Sequence, residues 1–154
     1  MKVIPNNIFF ENAEQLLSEG KTVELRCFGR SMQPYMRGDG KEIIIASPFS
    51  PDELSPGTIV LFRYHGRHIC HRIIRRNGER LLIQGDGVVN KQEHATISDV
   101  LGIIRTVIRR DKKPVSTQSK SAQRYWRYWR LLSPIRICLL LVYRLGLKLF
   151  QKCS

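Results

Sequence analysis

The chain has 154 residues, which suits one folded domain with appendages, and its hydrophobic fraction of 42% argues against a globally disordered protein. Its formal charge is +13. Residues 1–104 hold 13 Lys and Arg against 12 Asp and Glu, whereas residues 105–154 hold 13 against one acid, Asp111. The basic charge therefore belongs to the C-terminal third, where it indicates a polyanionic partner such as a membrane surface or a nucleic acid.

The cysteines and the N-terminal residues indicate where the protein works. The four cysteines show no spacing typical of a zinc site, so we expect reduced thiols and neither a metal nor a cofactor. Residues 1–10 lack the long apolar run of a signal peptide, and nothing in the first hundred residues could span a bilayer. These features favour a cytoplasmic location.

Periodicity predicts one short helix followed by a series of strands. The helix covers 12–17 and stops at Gly20, and residues 22–28 alternate apolar and polar side chains as a half-buried strand does. Further strands are predicted at 43–45, 58–64, 68–75, 80–84 and 100–109, with turns at 65–67 and 77–78. This pattern predicts a mainly β domain over 1–110, folded as a small barrel or a folded sheet.

The C-terminal third has a different pattern. Residues 111–123 predict a flexible linker, and 124–154 predict a basic amphipathic helix whose charged residues share one arc. A helix with arginines inside its apolar run is expected to lie in a membrane interface rather than to span it, with Trp126 and Trp129 at headgroup depth. A spanning anchor, packing on the domain, a protein partner and nucleic acid remain alternatives.

Two segments carry the residues of a possible serine hydrolase. Ser31 follows a predicted strand at a turn after Gly29, where its hydroxyl and its N–H could both face a reacting carbonyl. His71 lies on a predicted strand and could take the hydroxyl proton. Asp86, between two glycines, could orient the imidazole, and Asp99 could serve instead. On spacing alone, an ordinary turn serine and a structural histidine explain these residues as well.

The order of these segments resembles a known family. The run GRSMQPYMRGD at 29–39 resembles the serine box of signal peptidases and of self-cleaving repressors of the LexA kind. PGTIVLF at 56–62 and HRII at 71–74 resemble the next two boxes, and QGD at 84–86 with Asn90 resembles the Gly-Asp box. The resemblance covers about 22–109 and implies the β-rich catalytic fold of that family.

The resemblance implies a serine-type endopeptidase that cleaves a peptide or leader segment after small residues. It implies Ser31 as nucleophile, His71 as base where bacterial signal peptidases and the repressors have lysine, and Asp86 as the acidic partner. The chain departs from the family at the Gly-Asp box, where a following aspartate is missing, so Glu93 or Asp99 would replace it. It also lacks the usual N-terminal membrane span and the hydroxyl side chain two residues before the nucleophile.

The working hypothesis is a peptidase at the inner face of the membrane, held there by residues 124–154. The alternative is a non-catalytic or self-cleaving regulatory module that binds a membrane, protein or nucleic-acid partner through its basic tail. Self-cleavage would need exposed small residues, which the predicted linker offers at 115–121.

Overall fold

The computed structural model describes residues 6–152, with side chains described for 10–149. It is mainly β, with eight strands in one antiparallel sheet and two helices after the last strand. The elements in chain order are α1 (Asn6–Ser18), β1 (Val23–Phe28), β2 (Asp39–Ser47), β3 (Ile59–Tyr64), β4 (Arg67–Asn77), β5 (Arg80–Gln84), β6 (Glu93–Thr96), β7 (Val100–Ile108), β8 (Pro114–Ser116), α2 (Lys120–Leu131) and α3 (Arg136–Lys152).

The strands follow the order β1-β2-β7-β3-β4-β5-β6, and β8 pairs with β7 outside that path. Register shifts interrupt the pairings β1–β2, β2–β7, β3–β7 and β4–β5, and such bulges bend a sheet and increase its twist. The bent sheet buries two apolar clusters. One lies beneath α1 and includes Leu17, Leu25 and Ile104, and the other includes Phe62, Ile73 and Ile103.

The predicted fold class is confirmed, and each predicted strand is found within a few residues of its expected bounds. The helix α1 begins at Asn6, six residues earlier than predicted. Two strands were not predicted. The strand β6 is short and polar, and β8 begins at Pro114, which lies in the expected linker.

The prediction of a flexible linker at 111–123 is wrong, because residues 114–116 pair with β7 and residues 120–123 belong to α2. Val115 pairs with Val107, and Thr117 is buried with its hydroxyl donating to the Ile104 carbonyl at 2.6 Å. The helix α2 then begins at Lys120, where the Ser119 hydroxyl accepts a hydrogen bond from the Ala122 N–H as an N-cap. The segment considered for self-cleavage is therefore anchored rather than free.

Residues 124–152 form parts of two helices instead of the single helix expected. A short 3-10 turn at Ser133–Ile135, with Pro134 inside it, separates α2 from α3. Trp126 and Trp129, expected at headgroup depth, are buried against the β domain. Packing on the domain is therefore the arrangement of α2. Among the described residues, no helix has the length and apolar character needed to cross a bilayer.

Candidate active site

The loop after β1 presents Ser31 at the start of a turn. Its two ends are joined where the Gly29 N–H donates to the Gly38 carbonyl at 2.9 Å. A methyl group on Gly38 would lie 1.6 Å from the Gly29 oxygen, so no side chain fits where the two ends meet. Ser31 is half-buried, and its N–H makes no hydrogen bond with another described residue. This loop thus leaves a hydroxyl and an N–H donor at one edge of the sheet.

The Gly85-Asp86-Gly87 segment after β5 fits directly against the Ser31 loop. The Gly87 N–H donates to the Ser31 carbonyl at 2.8 Å. A methyl group on Gly85 would lie 2.2 Å from the Ser31 carbonyl oxygen and 2.9 Å from His71 Nε2. The Ser31 carbonyl oxygen and His71 Nε2 therefore lie within about 5 Å of each other, because both are close to the same point on Gly85. The absence of a side chain at Gly85 is what allows the serine loop to approach the imidazole.

His71 and Glu93 form a buried pair beneath this contact. His71 Nδ1 lies 3.1 Å from Glu93 Oε2, and the two side chains are 6% and 2% exposed. A carboxylate that accepts from Nδ1–H holds the tautomer in which Nε2 is an acceptor. Nε2 faces Gly85 and the Ser31 loop. The pair thus has the arrangement that a general base needs.

The Ser31 backbone and the His71 ring both lie against Gly85, and no hydrogen bond joins the Ser31 hydroxyl to His71 among the described residues. Hydrogen bonds of this type are often long before substrate binds and shorten in the complex. The two residues predicted as nucleophile and base therefore lie on the same side of the sheet, next to each other across Gly85.

The expected role of Asp86 is not what the structure shows. Its two oxygens accept hydrogen bonds from Arg72 Nε at 2.9 Å and Arg72 Nη2 at 2.8 Å, and it makes no hydrogen bond to His71. Asp99 accepts from the Thr96 N–H at 2.7 Å and closes a turn after β6. Glu93, the other residue considered, is the acid that contacts the imidazole.

Arg72 and its surroundings form a second buried cluster. The Arg72 guanidinium also donates to the Gly57 carbonyl at 2.9 Å and lies 4.8 Å from the Tyr35 ring centroid and 5.2 Å from that of Trp126. Burial alone would lower the pKa of Arg72, but the charge and hydrogen bonds of Asp86 raise it above its ordinary value. Arg72 therefore stays charged inside the protein.

The C-terminal helices contact both site loops. Trp129 of α2 donates its indole N–H to the Asp86 carbonyl at 2.9 Å. Arg144 of α3 donates to Gln33 Oε1 at 3.2 Å and to the Gly87 carbonyl at 3.1 Å. The helices thus support the loops that carry Ser31 and Asp86, which the sequence pattern did not indicate.

Among the described side chains of residues 10–149, no three of His, Cys, Asp or Glu come together as a metal site would require. The chain was also compared with known proteins. No family model matches it, and neither the curated proteins nor the solved structures contain a significant match.

Proposed function

We propose that this protein is a serine endopeptidase of the signal-peptidase type, in which Ser31 is the nucleophile, His71 the general base and Glu93 the acid that orients the base. One observation carries the proposal. The imidazole of His71 is held by a buried carboxylate at Nδ1 while Nε2 faces the loop of Ser31 across a glycine. The resemblance of residues 29–39, 56–62 and 71–74 to the family boxes supports the same assignment.

The proposed reaction has two steps. In the first, Ser31 Oγ attacks the scissile carbonyl carbon while His71 Nε2 takes the hydroxyl proton and then delivers it to the leaving amine. The Ser31 N–H stabilises the negative charge on the carbonyl oxygen. In the second step, water attacks the acyl carbon while His71 takes a proton from the water, and His71 then delivers that proton to Ser31 Oγ as the carboxylic acid product leaves. Glu93 stabilises the imidazolium that forms in each step.

A buried His–Glu pair can also be a purely structural contact, so the pair alone does not distinguish the two roles. The distinguishing feature is the second nitrogen. His71 Nε2 has no hydrogen-bond partner among the described residues, is not sealed from solvent, and lies beside Gly85, against which the Ser31 loop packs.

The test uses the full chain and a synthetic peptide library with small residues at varied positions, with products identified by mass spectrometry. Ser31→Ala and His71→Ala are each expected to lower the cleavage rate at least about 10³-fold. The controls are Ser55→Ala and His94→Ala, which change exposed residues and should leave the rate unchanged. Circular dichroism checks that each variant folds.

Two results would overturn the proposal. One is cleavage by the Ser31→Ala variant at the rate of the unmodified protein. The other is the absence of cleavage of any library peptide, accompanied by no change in intact mass on prolonged incubation. The second result leaves a binding module as the better description.

A further inference from the structure

A cleft separates the Ser31 loop from α3, and we call it the basic cleft. It has a volume of about 530 Å³ and lies between residues 30–41 and the C-terminal half of α3. Its lining contains one acid, Asp39, and six cationic side chains: Arg30, Arg37, Lys41, Arg110, Arg144 and Lys148. An anionic ligand is the ligand class that this lining favours.

The positive charge of the basic cleft is largely unbalanced within the protein. Asp39 lies 3.6 Å from Arg110, and Arg144 donates only to neutral oxygens of Gln33 and Gly87. The other four cationic side chains form no hydrogen bond or ion pair with a described residue: Arg30, Arg37, Lys41 and Lys148. Like charges held together in this way repel one another, and a bound polyanion relieves that repulsion.

An apolar stripe runs along α3 beside the basic cleft. It consists of Leu141, Leu145 and Leu149, spaced four residues apart, and their side chains are 55%, 59% and 66% exposed. Arg144 and Lys148 precede Leu145 and Leu149 by one residue, so the stripe lies about 100° around the helix from the side chains that line the cleft. One helix therefore presents a cationic row to the cleft and an apolar row to the exterior.

We propose that the basic cleft binds the phosphate of an anionic phospholipid headgroup while the apolar stripe enters the acyl region of the same membrane. A soluble phosphate could satisfy the cleft but would leave the stripe in water. A lipid satisfies both features, because cationic and apolar rows on one helix match the headgroup and acyl layers of an interface. This inference does not depend on the proposed peptidase activity.

The consequence for the site is its position relative to the membrane. Arg30 and Arg37 of the cleft belong to the loop that carries Ser31, and Lys41 lies near the start of β2, which follows that loop. A headgroup in the cleft therefore places the Ser31 loop at the membrane surface. Substrates presented there, such as the exposed end of a membrane-bound segment, would reach it first.

The first test is sedimentation of the full chain with phosphatidylcholine vesicles, with or without phosphatidylglycerol. Binding is expected only to vesicles that contain phosphatidylglycerol. The double variant Arg37→Glu/Lys148→Glu is expected to bind at least about tenfold more weakly, since each cation near an anionic surface contributes roughly fivefold. The matched control is Arg67→Glu/Arg80→Glu, which makes the same charge change at exposed strand residues outside the cleft.

The second test separates lipid from soluble phosphate. The variant Leu141→Ser/Leu145→Ser changes only exposed side chains and is expected to lose vesicle binding while it keeps the affinity for inorganic pyrophosphate measured by calorimetry. Unchanged vesicle binding by this variant would assign the cleft to a soluble phosphate and overturn the lipid proposal. An equal loss in the two charge-reversal variants would show that binding reports overall charge, which also overturns it.

Discussion

The two faces of β4 carry two buried pairs, each of a basic side chain and a carboxylate, that differ in one respect. His71 and Arg72 are neighbours in the strand, so their side chains point to opposite faces, and each contacts a buried carboxylate. Arg72 directs its donors to Asp86 and to the Gly57 carbonyl and is flanked by aromatic rings. His71 contacts Glu93 through one nitrogen only.

The number of polar atoms left without a protein partner is the feature that can distinguish a structural pair from one suited to chemistry. Burial and distance are nearly the same in both pairs, so neither quantity separates them. A buried pair whose polar atoms are all occupied serves the fold, because removing one partner leaves an unpaired charge. A buried pair with one polar atom left facing a reactive side chain is suited to chemistry. The following predictions test this distinction, from the largest expected effect to the smallest.

Changing the acid on the His71 face should affect activity far more than stability. In Glu93→Gln the amide cannot stabilise an imidazolium, so the cleavage rate is expected to fall about 10²- to 10⁴-fold. The melting temperature should change little, because an amide oxygen can still accept the hydrogen bond from Nδ1–H. Steady-state cleavage and thermal unfolding measure the two effects, with the exposed Glu24→Gln as control. A full rate in Glu93→Gln would contradict the assignment.

Changing the acid on the Arg72 face should affect stability first. In Asp86→Ala the buried guanidinium loses its carboxylate, and the free energy of unfolding is expected to fall by about 3–5 kcal/mol. Urea unfolding measures this, and Asp52→Ala, at an exposed residue, is the control. The double variant Arg72→Met/Asp86→Leu should recover most of the loss, because an apolar pair needs no compensating charge. A loss below about 1 kcal/mol in Asp86→Ala, the range of exposed ion pairs, would mean that the pair is not structural.

A substitution at Gly85, which lies between the Ser31 loop and His71, should lower both stability and activity moderately. In Gly85→Ala the new methyl group would meet the Ser31 carbonyl oxygen and His71 Nε2, so the serine loop must move away. The expected results are a loss of about 1–3 kcal/mol in unfolding free energy and a rate lowered about 10²-fold. Gly146→Ala is the control, since no other atom lies within 4 Å of the added group. Unchanged activity in Gly85→Ala would show that the serine loop does not need this close approach.

The sequence predicted the strands well because their signals are local. Alternation at β1, the turns between β3, β4 and β5, and the prolines before β3 each depend on a few neighbouring residues. The strand β6 was missed because it contains Glu93 and His94, which read as a polar loop. A signal was present, since Glu93 and Ala95 alternate with His94 and Thr96 and are the two buried residues of the four.

The pairing of the charges could not be predicted because it depends on contacts between distant segments. The family resemblance implied Asp86 as the acidic partner, but Arg72 lies beside His71 in the chain and pairs with Asp86 on the other face of the strand. The tryptophans of α2 have the same explanation. Aromatic residues among arginines suit a membrane interface, but here Trp126 packs against the Arg72 guanidinium and Trp129 donates to the Asp86 carbonyl.

The bond from the Trp129 indole to the Asp86 carbonyl has a consequence for biosynthesis. The loops of Ser31 and Asp86 precede α2 and α3 in the chain, yet their support comes from these two helices, which leave the ribosome after the sheet. A nascent chain lacking α2 and α3 therefore holds Ser31 and His71 without the contacts that brace their loops. A product truncated near residue 118 would have the sheet but not the braced site.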